Sequence, residues 1–143
     1  MTDPGKIRIL IADDFKLLRD VIRAYLERES DMEVVGEAPN LEDALQRAKE
    51  LEPDVILVND YLPPLTSAHA AKLFREHGIK AATLSISMDV ERELIEHSLQ
   101  HGIKGFLHKD EIDRLLVQAV RIVHRGERYL SPRARAAYGK DPE

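Results

Sequence analysis

Along this chain, short runs of consecutive apolar residues alternate with longer stretches in which apolar positions recur every three or four residues. The first pattern suits strands buried on both faces and the second suits helices lying over them, so the order predicts a parallel sheet flanked by helices. Five strand–helix pairs can be counted. Residues 7–12 make the first strand, and residues 15–28 then set Leu18, Ile22, Tyr25 and Leu26 on one helical face. Residues 33–37 make the second strand, after which Asn40 caps a helix carrying Leu41, Ala44, Leu45, Ala48 and Leu51 that Pro53 stops. Residues 55–58, Val-Ile-Leu-Val, contain no polar interruption and belong at the centre of the sheet. A helix over 67–76 closes at His77-Gly78 and leads to a weaker strand over 81–86. A helix over 90–100 ends at His101-Gly102, its stripe of Val90, Leu94, Ile95 and Leu99 thin enough to suit either core or interface. A strand over 104–107 and a helix that Asp110 caps and Gly126 ends complete the series. The expected fold is α/β, a five-stranded parallel sheet with helices on both faces, formed by residues 6–126. Residues 127–143 are expected to be a linker or tail, in which Ser131-Pro132 marks a helix start.

Composition narrows the function classes. A length of 143 residues suits one core. With no cysteine there are no disulfides, thiolate zinc sites or thiol nucleophiles. No apolar run approaches the roughly 20 residues of a membrane helix, and the first residues lack a signal pattern. A cytoplasmic protein without membrane contact is expected. Lys and Arg number 21 against 26 Asp and Glu, a formal charge of −5 that gives no general attraction to nucleic acid. Arg125, Arg128, Arg133 and Arg135 are read as a solvated linker. Of six histidines only His97 and His101 stand at i and i+4, read as a solvated helix face. Phosphate-loop, dinucleotide and nucleophile-elbow motifs are absent from the sequence.

In an open parallel sheet, chemistry sits in the loops beyond the strand C-termini. Those loops hold Asp13-Asp14, Asn59-Asp60-Tyr61, Ser87-Met88-Asp89 and His108-Lys109-Asp110. A pair of acids can hold Mg²⁺, which takes one or two carboxylates together with waters and phosphate oxygens. A lysine can meet a phosphate as a point charge while a serine hydroxyl bonds one of its oxygens.

These strings resemble the receiver domain of two-component response regulators, most of all receivers that precede a LuxR-type DNA-binding domain. The likeness is carried by Ile-Leu-Ile-Ala-Asp-Asp at 9–14, Glu-Val-Val-Gly-Glu-Ala at 33–38 and Pro-Asp-Val-Ile-Leu-Val at 53–58. It continues through His-Gly-Ile-Lys-Gly-Phe-Leu-His-Lys-Asp at 101–110 and Gly-Glu-Arg-Tyr-Leu-Ser-Pro at 126–132. The resemblance implies a flavodoxin-like fold and a phosphorelay role in which an aspartate ending the third strand takes a phosphoryl group from a histidine kinase. It makes Asp14 a direct Mg²⁺ ligand, Asp13 a supporting acid and the Tyr61 backbone carbonyl a further ligand. Lys109 is the partner of the phosphoryl oxygens, Ser87 the switch hydroxyl and Phe106 the aromatic that moves with it. The expected partners are a histidine kinase or other signalling protein and, through the fourth helix, fifth strand and fifth helix, a second copy of the chain.

The match breaks at the acceptor. Counting forward from Pro53-Asp54 and back from Pro63, that position falls on Asn59. An amide nitrogen conjugated with its carbonyl does not attack phosphorus, although the amide oxygen can still face a cation, so Mg²⁺ binding should be weak or lost. Asp60 is the less favoured substitute acceptor, since strand alternation turns it away from the face of Asn59. Met88 stands where the family generally has a small residue, and Pro-Pro-Leu-Thr-Ser at 63–67 lacks two usual glycines, which stiffens that loop. Together these departures describe an atypical receiver, a signalling module and not an enzyme, that acts by protein contact without phosphorylation. The alternatives are an active acceptor at Asp60, or the receiver part of a longer DNA-binding regulator. Eleven residues beyond Pro132 cannot form a helix-turn-helix domain, so no DNA contact is expected from this chain itself.

Overall fold

The computed structural model describes residues 5–139. In chain order the elements are β1 (Ile7–Ala12), α1 (Lys16–Glu27), β2 (Met32–Ala38), α2 (Leu41–Leu51) and β3 (Val55–Asn59). A small hairpin follows, β4 (Tyr61–Leu62) with β5 (Leu65–Thr66), then α3 (Ser67–Glu76), β6 (Ala82–Ser87), α4 (Arg92–Gln100) and β7 (Ile103–His108). A single 3₁₀ turn, Lys109–Glu111, leads into α5 (Ile112–His124), and the described chain closes with β8 (Tyr129–Leu130) and α6 (Pro132–Tyr138).

The main sheet has the order β2-β1-β3-β6-β7-β8, every pairing parallel. Its first five members are the expected strands, flanked by helices as expected, with the apolar 55–58 run in the middle. Side-chain alternation splits the core into layers. Ile9, Ile11, Leu57, Leu84, Ile86 and Leu107 face α1 and α5, while Leu10, Ala12, Ile56 and Val58 face α2 and α3, whose Phe74 joins the same cluster. Gly105 is required where β7 meets α5, because a Cβ there would stand 2.6 Å from Leu84 and 2.8 Å from Val123. Charged clasps pin the edges: Glu37 of β2 takes Arg19 and Arg23 of α1, and Arg121 of α5 takes Glu29 and Asp31. Among the described residues no helix is long and apolar enough to cross a membrane.

Local signals worked where the partner was a few residues away. Asn40 Oδ1 accepts the Asp43 N–H at 2.8 Å, and Ser131 Oγ accepts the Ala134 N–H at 3.2 Å with Pro132 in the first turn. The expected Asp110 cap is replaced. His108 accepts the Asp110 N–H through Nδ1 at 2.9 Å, and the buried Glu111 carboxylate accepts the His108 N–H at 3.0 Å, a reciprocal capping box.

The larger correction concerns the chain beyond Gly126. Instead of a linker, its described residues add a sixth strand beside β7 and lay α6 against α4 and β7. Leu130, Ala134 and Tyr138 join Ile95, Leu99 and Phe106 in a third apolar cluster, with Val90 and Leu94 at its margin. The thin stripe of α4 is therefore core, covered by a segment whose short apolar runs were too brief to carry a period. Leu130 is fully buried, so Leu130→Ala should lower the urea unfolding free energy by about 2–5 kcal/mol. A linker residue would cost no more than about 0.5 kcal/mol.

Candidate functional site

The register of the sheet assembles the site. Ala12 pairs with Val58 and Asn59 with Ile86, while Ser87 pairs with His108. One step beyond those pairs stand Asp13, Asp60 and Lys109, all at the same end of the sheet. A cavity of about 960 Å³ opens at the opposite end of these strands, beside Asp54, Lys80, Gly102 and Lys104. None of the chemistry-bearing loops lines it.

Asp13 is 2% exposed, and its Oδ1 accepts the Phe15 N–H at 2.8 Å. Burial pushes its carboxyl above the ordinary aspartate range; the Phe15 bond and the Lys109 charge pull the other way, and neighbouring Asp14 adds to the rise. Asp14 itself is exposed. Arg19 Nη1 donates to the Asp13 carbonyl at 2.7 Å, tying this loop to α1. Asn59 ends β3, half-buried, and its carbonyl Oδ1 is buried without a hydrogen-bond partner. Natural structures rarely leave such an acceptor unmet. Two carboxylates and an unmet amide oxygen at one sheet end form a set of hard oxygen donors, the chemistry that Mg²⁺ takes.

Asp60 lies outside β3, and the structure gives it work that strand alternation alone did not reveal. Its carboxylate Oδ2 is 3.0 Å from Ser87 Oγ, and its backbone carbonyl accepts the Ser67 N–H at 3.0 Å. Asp60 thus braces the exit of β3 against the start of α3 and the end of β6. The fully buried Ser87 hydroxyl has one proton and two acceptors, Asp60 Oδ2 and the Asp89 carbonyl at 2.9 Å, while its oxygen accepts the Asp89 N–H.

The other expected residues divide. Lys109 opens the 3₁₀ turn close enough for its charge to act on Asp13. Phe106 is 1% exposed and lies inward, among Ile95, Leu99 and Leu130. Tyr61, half-exposed, begins β4. Met88 is exposed, and its backbone carbonyl lies 3.1 Å from His108 Nε2. Because His108 Nδ1 accepts from Asp110, Nε2 carries the ring proton and donates to Met88. That bridge between the loops after β6 and β7 was not foreseen; its only trace in the sequence is a histidine at the end of an apolar strand.

Residues 9–121 match the family model described as the response regulator receiver domain. The chain belongs to this family. Its members are signalling modules and not an enzyme class. Among curated relatives, the transcriptional regulatory protein MctR of Rhizobium johnstonii is 34% identical over 131 residues, covering 92% of this chain and 61% of that protein. The response regulator GacA of Pseudomonas viridiflava is 36% identical over 128 residues, covering 88% and 59%. The chain therefore spans about three fifths of the length of these relatives. A LuxR-family response regulator from Aurantimonas has the same fold, with a TM-score of 0.89 at 25% identity over 94% of this chain and 96% of that one. The receiver domain of the putative response regulator NarL from Mycobacterium tuberculosis superposes with a TM-score of 0.74 at 31% identity, covering 82% and 98%.

Burial gives Asp13 a testable pH signature. Its folded-state pKa lies above its unfolded value, so the folded protein loses stability as pH rises through that interval. In EDTA, Asp13→Asn should therefore raise Tm at pH 7 by a few degrees, with the advantage fading as pH falls toward about 4. Thermal unfolding followed by circular dichroism across that range checks both sign and window.

Proposed function

We propose that this chain is an atypical receiver of a two-component system that signals by protein contact without forming an aspartyl phosphate. The observation carrying it is Asn59, which ends β3 one step beyond the Ala12–Val58 pair, with an unpartnered Oδ1. Phosphoryl transfer to a receiver needs a carboxylate oxygen to attack phosphorus while the bond to the donor breaks. An amide oxygen carries no full negative charge and its nitrogen lone pair is delocalised, so neither atom makes that attack. The pocket also holds one carboxylate fewer than the family pattern. Asp13, Asp14, the Asn59 Oδ1 and the Tyr61 backbone carbonyl would hold Mg²⁺ more weakly than three acids, and the cation when bound supplies positive charge to oxygens beside Lys109.

Protein contact has support on the surface. Phe15, Leu17 and Val21 are exposed on and just before α1, next to the acid pair, a local apolar patch suited to a histidine kinase or other signalling protein. Homodimerisation through α4, β7 and α5 is confined to the part of that face that α6 leaves uncovered.

Two observations favour alternatives. The Asp60 carboxylate bonds Ser87, the expected switch hydroxyl, which makes Asp60 the other candidate acceptor. The length of the relatives favours a receiver that forms part of a longer DNA-binding transcription regulator. Incubation with acetyl phosphate and Mg²⁺ followed by intact-mass and peptide mapping separates the acceptor readings. The expected result is no phosphoryl adduct on this chain and one on Asn59→Asp. An adduct on the unaltered chain that Asp60→Asn abolishes would assign the chemistry to Asp60.

A further inference from the structure

Half of the chain's six histidines meet away from the acidic site. His69 stands in the first turn of α3, His97 in the last turn of α4 and His101 just past its end. Their rings are mutually in contact, with centroids 5.4 Å apart for His69 and His97, 5.5 Å for His69 and His101, and 4.2 Å for His97 and His101. One ring nitrogen from each lies within 4.8 Å of the others. His97 and His101 do share a helix face as their spacing implies, yet both are half-buried, and His69 of the neighbouring helix closes over them.

From this geometry we propose that His69, His97 and His101 form a site for a first-row divalent transition ion such as Zn²⁺, joining α3 to α4. Edge-on imidazole packing would account for the ring angles, but the hydrogen bonds go further. His101 Nδ1 lies 2.9 Å from the His97 carbonyl, which can only accept, so Nδ1 carries the proton and Nε2 keeps a free lone pair. His69 Nδ1 lies 2.9 Å from Thr66 Oγ1, a hydroxyl able to accept its proton, and in that tautomer Nε2 is left for a metal. A second-shell oxygen on the far nitrogen is the usual companion of a metal-bound histidine. With Zn–N bonds near 2.1 Å, tetrahedral ligand nitrogens stand about 3.4 Å apart, so closure asks for shifts on the order of 1 Å in partly exposed rings. Three imidazoles without thiolate or carboxylate suit zinc, copper or nickel over Mg²⁺. The exposure of His69 leaves a coordination position open to solvent.

The placement couples two loops. α3 follows the Asn59–Asp60 segment through the β4–β5 hairpin, and α4 follows the Ser87–Asp89 loop. A metal held between the helices would fix the relative position of the elements that Asp60 and Ser87 already bridge.

Calorimetric titration of the full chain with Zn²⁺, in excess Mg²⁺, tests the proposal. One saturable site is expected, with His69→Gln and His97→Gln each weakening it at least about tenfold, the scale on which even outer-shell partners of a metal matter. Asp14→Asn should leave zinc affinity unchanged, which separates this site from the acidic pocket. His69 is exposed, so His69→Gln decides the matter if His97→Gln does not fold. Co²⁺ should give visible d–d absorption that His69→Gln removes. The proposal is overturned if no saturable binding appears below about 100 µM Zn²⁺, if the histidine variants bind as tightly as the parent, or if Asp14→Asn abolishes binding.

Discussion

The strand Val55–Asn59 is the constraint on which the rest depends. Its first four residues are at most 1% exposed, with side chains committed to both helical layers, so it cannot slip without burying a wrong set on each face. It pairs in register with β1 on one side and β6 on the other, and β6 in turn sets β7. That chain of registers brings Asp13, Asn59, Ser87 and Lys109 to one end of the sheet, although 96 positions separate the first from the last. Packing of a few apolar side chains thus determines where polar groups can meet.

In the proposed reading, Asn59 is the departure from the family pattern that bears most directly on the chemistry. On that reading an amide stands where a carboxylate would supply a nucleophile and a charge, and Asn59 Oδ1 is buried and unmet. The neighbouring Asp60 is engaged by its surroundings: its carboxylate bonds Ser87 and its backbone carbonyl accepts from Ser67 in the first turn of α3. Ser87 and Asp60 form a local lock, and His108 adds another between the loops after β6 and β7. An arrangement of this kind holds the loops after β3, β6 and β7 by direct contacts within the chain.

The region after Gly126 changes the surface available for such partners. By pairing β8 with β7 and laying α6 on α4, it covers Phe106, Ile95 and Leu99. Any outward movement of Phe106 would have to displace Leu130 and Tyr138 as well. The histidine cluster lies on the other side of α4, toward α3, so the helix is held from two directions by different kinds of contact.

Much of this was legible in the residues. Unbroken apolar runs marked the strands, since a doubly covered strand has no solvent face to alternate toward, and threefold and fourfold spacing marked the helices. Asn40 and Ser131 were readable as caps because their partners lie three residues away. The acids, Asn59, Ser87 and Lys109 could be assigned to one loop cluster because parallel topology puts all strand C-termini together. What the chain order alone could not decide were contacts set by geometry between distant elements. The Asp60–Ser87 bond, the capping box of His108 and Glu111, the packing of α6 and the meeting of His69 with His97 and His101 all depend on how far helices and loops lean over the sheet. Local sequence determines which element a residue joins and which way it first points. Only the packed fold decides which distant side chain it meets, because that follows from the summed shapes of every residue between them.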